Sequence, residues 1–473
     1  MDFRKVRLED VTTRVESAVQ KAHDKQADLN AVVTFVDVNE QLENLKNIDA
    51  SKPLYGMPIV LKDNVNYKGF KTTASSAILD NYVPVYNAHI VDKLKDAGAI
   101  VIAKASMDEL GMGGTNKNAH TGKVNNPWDT ARISGGSSGG SAVLVASGVV
   151  PMAIGTDTGD SIRKPAAYNG IIGMKPTYGR ISRYGIIPYA SSLDHVGFFT
   201  SSIIDACETL EVLAGRDDRD MTSSYREVEH YAANLNADLK GKRIAVLENI
   251  QSAIANKEIT DNFDALMKKL EARGAIVDRV VFNDKLMHAI LPVYYIIANA
   301  EATANHSNLD GIRYGVREDG ESVEDVMINS RTAGLCSYVR KRFVIGSYSL
   351  YEENQEKVFR KAQKVRRLIV DELKNCLAQY DCVIASASGS IAPLSEACED
   401  EHLDKNAVLA ENYMAIGNFS GYPSMSVPCG FVDGMPIGVN LTAKPFEEQM
   451  LFNIGKAIEE ETGLEGNDVE VDA

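Results

Sequence analysis

Three short stretches of this chain set a lysine or a serine among glycines, the composition that lets backbone N–H groups crowd a reacting atom. They read Gly56-Met57-Pro58-Ile59-Val60-Leu61-Lys62-Asp63-Asn64, then Gly135-Gly136-Ser137-Ser138-Gly139-Gly140-Ser141, then Gly155-Thr156-Asp157-Thr158-Gly159-Asp160-Ser161-Ile162-Arg163. A serine nucleophile needs a base. None of the eight histidines stands in a recognisable triad setting, so lysine is the other candidate. Free lysine titrates near ~10.4, and lowering that by about three units takes roughly 4 kcal/mol of disfavour for the cation. The apolar approach Pro58-Ile59-Val60-Leu61 helps supply it for Lys62. Lys62, Ser137 and Ser161 together read as one active site for amide hydrolysis.

Single-motif alternatives stay open beside this reading. The second stretch also fits G-x-S-x-G, the nucleophile elbow of α/β hydrolases, and Ser161-Ile162-Arg163-Lys164 fits S-x-x-K of penicillin-binding enzymes. The first lacks an evident acid and histidine pair, and no K-T-G follows the second. Any one stretch alone would be a flexible or phosphate-type loop; the conjunction carries the chemistry. Asp157 and Arg163 read as a buried structural pair.

The elements that must hold these residues alternate. A helix is expected over residues 8–25, from Leu8, Val11, Val15, Ala18, Val19 and Ala22, packing outside the core. Strands are expected at Ala31–Val36, Met57–Leu61 and Ile100–Ala103, with a helix over Ala88–Asp96. Residues 104–200, rich in glycine, serine and threonine, read as interior turns and short helices around the site. Beyond Asp217-Asp218-Arg219-Asp220 a peripheral, lid-like layer is expected, with a strand at Ile244–Leu247 and helices near 259–273 and over 351–380. Strands at Val383–Ala385, Ser424–Pro428 and Gly438–Leu441, then a helix near 446–461, return to the sheet; the acidic tail after Gly463 is expected to fray.

Composition sets the class. With 44% hydrophobic and 24% charged residues over 473 positions, the chain has the make-up of a soluble globular enzyme. A net charge of −15 argues against a broad nucleic-acid grip of its own. The six cysteines form no C-x-x-C pair and read as reduced thiols, and neither a leader-like apolar segment nor a spanning stretch is seen, so a cytoplasmic protein is expected.

The three stretches resemble the amidase signature family. The resemblance implies an α/β fold: a single large domain whose mixed, twisted β-sheet core is covered by helices on both faces. It would comprise a helical segment at about 1–25, a signature core at about 50–215, a peripheral layer at about 220–380 and a sheet-completing part at about 381–463. It also implies that Lys62 is the base, Ser137 a bridging serine in a cis peptide, and Ser161 the nucleophile, with the N–H groups of Thr158, Gly159, Asp160 and Ser161 as oxyanion hole. The chain departs where the family has glycine before the nucleophile and this sequence has Asp160; Lys164, at i+4, is expected to pair with it and hold its charge outward.

Further phrases are similar to one branch of that family, the A subunits of tRNA-dependent amidotransferases. They include Thr115-Asn116-Lys117-Asn118, Asn126-Pro127-Trp128-Asp129, Gly173-Met174-Lys175-Pro176, Ser191-Ser192-Leu193-Asp194 and Ser426-Val427-Pro428-Cys429-Gly430. The likeness implies a glutaminase that passes ammonia to a B subunit, which amidates Glu-tRNA(Gln) or Asp-tRNA(Asn), with a small C subunit binding the pair. The misacylated tRNA would be held mainly by the partner. No cofactor or metal is implied for this chain; ATP and Mg would belong to the partner. Arg342 resembles the arginine that takes the glutamine α-carboxylate, Glu411 stands where the family has an aspartate for the amino group, and Tyr294 would line the pocket. His195 replaces a glutamine. A stand-alone amidase for small amides, and an assembly subunit with a weakened site, are the other readings.

Overall fold

Eleven strands form one sheet, and the computed structural model describes residues 3–7, 10–397 and 405–466 of the chain. In chain order they are β1 (Val32–Phe35), β2 (Pro58–Lys62), β3 (Ile100–Ala105), β4 (Met152–Asp157), β5 (Ile172–Lys175), β6 (His195–Thr200), β7 (Arg243–Leu247), β8 (Ile276–Val280), β9 (Cys382–Ser386), β10 (Ser424–Val432) and β11 (Met435–Thr442). Their order across the sheet is β1-β3-β2-β4-β6-β5-β10-β11-β9-β7-β8. It is a mixed sheet: β2 runs parallel to β3 and β4, while β6 runs antiparallel to β4.

Successive side chains on a strand leave by opposite faces, so a strand buried on both reads as continuous apolar sequence. In β2, Ile59 and Leu61 pack with Leu210 of helix Ile203–Leu213 and Phe452 of helix Glu448–Thr462. Val60 between them packs the other way, against Val15 and Ala18 of helix Val11–Asp24 and Val143 of helix Gly139–Ala146. Farther along that second face, Ala245 of β7 and Val383 of β9 meet Ile297 of helix Ile290–Asn305 and Ile369 of helix Arg360–Leu377. Each such large apolar side chain contributes about 1.5–3 kcal/mol on burial. The fold class is as the sequence led us to expect, one domain with helices on both faces.

Particular elements differ. The opening helix begins at Val11, where the Asp10 carboxylate accepts from Thr12 N and Thr13 N; Leu8 and Glu9 lie outside the described residues. Its inner face is core rather than periphery, with Val15, Ala18 and Ala22 buried against the sheet. The glycine-rich stretch of residues 104–200 contains β4, β5 and β6, central strands rather than only turns and short helices. Gly155, Gly173 and Gly197 lie inside those strands, and a Cβ at Gly155 would meet the Phe199 ring at 2.8 Å, so glycine here serves close packing. The helix expected over 351–380 is interrupted by a π-helical turn at Gln355–Phe359 before Arg360–Leu377. The layer after residue 220 also extends the sheet, through β7 and β8. The acidic tail beyond Gly466 lies outside the described residues. Among the described residues five cysteines are free thiols, and no helix is long and apolar enough to cross a membrane.

Candidate active site

The parallel strands β2 and β4 end side by side, which delivers Lys62 and Asp157 to one edge of the sheet, and the antiparallel β6 starts there with His195 opposite Asp157. Lys62 is fully buried, and its Nζ lies 2.9 Å from Ser137 Oγ, 2.7 Å from Ser138 Oγ and 3.3 Å from the Thr156 carbonyl. The peptide between Gly136 and Ser137 is cis. Burial brings the Lys62 pKa down to about 7, against the opposing pull of Asp108, Asp157 and Asp194.

The surrounding donors decide which serine can feed this amine. Ser138 Oγ donates to Thr156 O at 3.0 Å, so its contact with Lys62 uses an N–H of the lysine. A neutral amine has two N–H groups, for Ser138 Oγ and Thr156 O, and its lone pair is left for the Ser137 hydroxyl. The geometry thus gives Ser137, not Ser138, the position from which a proton can pass to a neutral Lys62 amine.

The Ser161 loop is pinned from behind. Arg163 grips Asp157 through two bonds, Nη2 to Oδ1 at 2.9 Å and Nε to Oδ2 at 3.1 Å, and both side chains are fully buried. Burial works against the charge on Asp157, and the guanidinium overrides it, holding the carboxyl well below its usual range. This is the structural pair expected from the sequence. Arg163 Nη2 also donates to Gly159 O at 2.8 Å, and peptide planarity then turns the N–H of Asp160 to the opposite side. Among the described hydrogen bonds, the N–H groups of Thr158, Gly159, Asp160 and Ser161 donate to no acceptor. Four unsatisfied donors beside a serine suit a developing oxyanion, where each is worth about 2.7–4 kcal/mol. Ser138 N donates to Ser161 O at 3.2 Å, tying the two loops together, while Ser161 Oγ makes no hydrogen bond to Ser137 among the described residues.

The wall comes from helices Ile290–Asn305 and Ser337–Leu350. Tyr294 lies against the loop of residues 158–161, so that a Cβ at Gly159 would stand 2.9 Å from its ring and 3.1 Å from its hydroxyl oxygen. Arg342 is buried in a tyrosine cage: it donates to Tyr189 OH at 3.2 Å and to Tyr338 OH, and its guanidinium lies over the Tyr295 ring at 4.7 Å. Its Nε is buried without an acceptor, and no carboxylate lies within ion-pair distance of it among the described residues.

One expectation about charge comes out differently. Lys164 does not pair with Asp160; its ammonium meets Glu411 Oε2 at 2.7 Å, because Glu411 reaches it from the facing helix Lys405–Asn412. Burial raises the Asp160 pKa to about 6, with Lys164 opposing from a distance. Glu411 lies in the same region as Ser161 but is held by the protein itself. Burial first, and then Lys175, hold the His195 pKa well below the usual imidazole value; Nδ1 sits 2.7 Å from Leu193 O, and Nε2 is buried without a partner. It lines a cavity of about 300 Å³ with Asn64, Gly111, Thr158, Tyr189 and Asp194, and a Cβ at Gly111 would stand 3.9 Å from Ser137 Oγ.

Sequence reading missed Asp108, whose carboxyl burial raises to about 6 beside Lys62 and which accepts from Asn116 N at 3.0 Å. Its place just after a parallel strand is a signal that could have found it. It also missed Asn418, which donates to Asp157 Oδ1 at 2.9 Å and accepts from Arg163 at 2.7 Å.

The Amidase family model matches residues 13–452. The A subunit of glutamyl-tRNA(Gln) amidotransferase from Lactiplantibacillus plantarum is 38% identical, covering 96% of this chain and 95% of that protein. Its counterpart from Exiguobacterium sibiricum is 39% identical, covering 96% of each. Among solved structures, the A subunit of glutamyl-tRNA(Gln) amidotransferase from Thermotoga maritima superposes with a TM-score of 0.82 at 32% identity, covering 98% of this chain and 95% of that one. The peptide amidase of Stenotrophomonas maltophilia gives 0.81 at 27%, covering 96% and 94%. With the family model spanning nearly all of it and relatives this near in sequence, the chain belongs to the amidase family.

Proposed function

We propose that this chain is the glutamine-hydrolysing subunit of a tRNA-dependent amidotransferase, with Lys62, Ser137 and Ser161 as its catalytic residues. The observation that carries the hydrolytic part is the buried, depressed Lys62 amine 2.9 Å from Ser137 Oγ. In the reaction Lys62 takes the Ser137 proton as Ser137 takes that of Ser161, after a side-chain rotation closes the Ser161 hydroxyl onto Ser137. Ser161 Oγ attacks the amide carbon, the N–H groups of residues 158–161 receive the oxyanion, and the proton returns to the leaving nitrogen. Ammonia departs, an ester remains on Ser161, and water entering by the same relay releases glutamate.

The similarity over nearly the whole length to glutamyl-tRNA(Gln) amidotransferase A subunits supports glutamine as substrate and B and C subunits as partners. In this reading ATP, Mg²⁺ and the misacylated tRNA belong to the partner, the acceptor is Glu-tRNA(Gln) with Asp-tRNA(Asn) as its alternative, and the setting is the cytoplasm. Arg342 receives the α-carboxylate and Tyr294 flanks the side chain. The chain's charge of −15 agrees with a subunit that leaves RNA to another. The test is ammonia release from glutamine by the chain with its partner subunits, with Ser161→Ala abolishing it. Strong turnover of simple amides without partners would favour a stand-alone amidase, and assembly without any turnover a purely structural subunit.

A further inference from the structure

Besides the buried Asp157 and Arg163 pair, Lys62, and Asp194, which accepts from Thr158 Oγ1 at 2.7 Å, the charged side chains near the nucleophile loop include Asp160, Lys164, Glu411 and, across Tyr294, Arg342. Two of them cancel. Glu411 accepts from Lys164 Nζ at 2.7 Å, Tyr168 OH at 3.1 Å, Ser388 Oγ at 2.9 Å, Gly389 N at 3.0 Å and Ser390 Oγ at 3.0 Å. A carboxylate offers about four lone-pair sites, so these five donors leave it little capacity for a ligand. Lys164 is correspondingly bound, its side chain only 5% exposed.

Asp160 is the opposite case. Its carboxyl is half-buried, adjoins Ser161, and makes no hydrogen bond or ion pair among the described residues. The charged groups facing it are Lys164, Arg163, Asp157 and Glu411, and each cation among them is already matched by a nearer carboxylate. Arg342 mirrors this state as a buried cation without a carboxylate partner and with a free Nε–H. Tyr294 lies in the field of both, Asp160 raising its pKa and Arg342 lowering it, after the larger effect of burial. Asp108 and Asp194 also lie in the site, but each accepts hydrogen bonds, from Asn116 N at 3.0 Å and from Thr158 Oγ1 at 2.7 Å; Asp160 beside the nucleophile is a carboxyl with none among the described residues, and Arg342 beyond Tyr294 a cation with no carboxylate partner.

We propose that Asp160 is the specificity-determining residue that receives the α-ammonium of the substrate, with Glu411 acting one step back by holding Lys164 away from it. The substrate class is then a zwitterionic amino-acid amide, whose carboxylate meets Arg342 and whose ammonium meets Asp160. This rests on the assignment of Ser161 as nucleophile. It also explains why Asp160, Lys164 and Glu411 belong together: an aspartate here needs the nearby lysine kept occupied, and glutamate has the reach to do so from helix Lys405–Asn412.

The experiment compares two amides on the chain assembled with its partner subunits. One is glutamine; the other is 4-carbamoylbutanoate, which keeps the amide and the carboxylate but lacks the amino group. Asp160→Asn is expected to raise KM for glutamine at least ten times more than it raises KM for 4-carbamoylbutanoate; any change in kcat, since the Asp160 N–H belongs to the proposed oxyanion hole, should be common to both amides, and turnover of the second amide shows a folded site. Asp160→Gly must repeat the pattern and Asp160→Glu restore part of it. The double variant Lys164→Gln with Glu411→Gln is expected to keep glutamine KM within a few-fold. Equal losses on both amides in Asp160→Asn and Asp160→Gly, unchanged glutamine KM, or a larger glutamine-specific loss in the double variant overturns the proposal. No hydrolysis of either amide by the unaltered protein overturns the amidase reading itself, and the proposal with it.

Discussion

Two lysines at the carboxyl ends of neighbouring strands are buried alike and equipped differently. Lys62 closes β2 and Lys104 lies near the end of β3, with Leu61 and Lys104 paired in register, and both side chains are fully buried. Around Lys104 the chain supplies a carboxylate, Asp63 at 3.3 Å, and the Thr72 hydroxyl at 2.9 Å. Around Lys62 it supplies hydroxyls and a carbonyl, with Asp108 farther off. Burial lowers both pKa values, opposed at Lys104 by contact with Asp63. A lysine buried against a carboxylate is a brace, since removing either partner strands a charge. One buried among hydroxyls can shed its proton and serve as a base. Fold and chemistry are thus separated by the choice of a single neighbour.

The widest split should come from deleting each amine. Lys62→Ala is expected to lower kcat for glutamine by about 10²–10⁴-fold, the usual worth of a general base, with far-ultraviolet circular dichroism unchanged. Lys104→Met leaves Asp63 unpaired, which costs about 3–5 kcal/mol, so thermal melting should fall clearly while kcat per folded molecule changes little. Lys62→Met should move melting the other way. Its folded-state pKa of about 7 lies below the unfolded value near ~10.4, so the unfolded chain binds the extra proton between those values and the group costs roughly 4 kcal/mol at neutral pH. That cost shrinks as pH rises through the window, and a Lys62→Met protein that melts lower than the parent at pH 7 would break the comparison.

The same pKa sets the rate profile. Only the neutral amine can take a proton, so kcat/KM should drop tenfold per unit as pH falls below about 7 and level off above it. A flat profile from pH 5 to 8 would remove Lys62 from the base role. The smallest difference separates the two serines beside it: Ser137→Ala should cost nearly as much as Lys62→Ala, and Ser138→Ala less than tenfold. Equal losses would mean that the relay runs through Ser138.

The residues proposed for the chemistry stand out in the sequence where a residue type has few reasons to be present. A lysine at the end of an apolar strand and serines among glycines are such cases, and the structure places Lys62 and Ser137 in contact. The strands carrying them were less legible. β4, β5 and β6 contain glycines required by packing and end in polar site residues, so neither alternation nor an apolar run marks them. The cage around Arg342 was not readable as a whole, because Tyr189 and Arg342 are brought together by tertiary folding; only Tyr338, at i−4 on the same helix, left a local signal. The pairing of Lys164 was misjudged for a related reason: helical spacing favoured Asp160, and Glu411 from a distant segment prevailed.

Arg163 touches more than the loop it stabilises. Its Nη1 donates to Met414 O at 2.9 Å, and Asn418 from the segment just before β10 completes the cradle of Asp157. Lys62, Ser137 and Ser161, the residues proposed as base, relay and nucleophile, all precede those two residues in the chain. The Arg163 and Asp157 brace is therefore complete only with the segment before β10 in place.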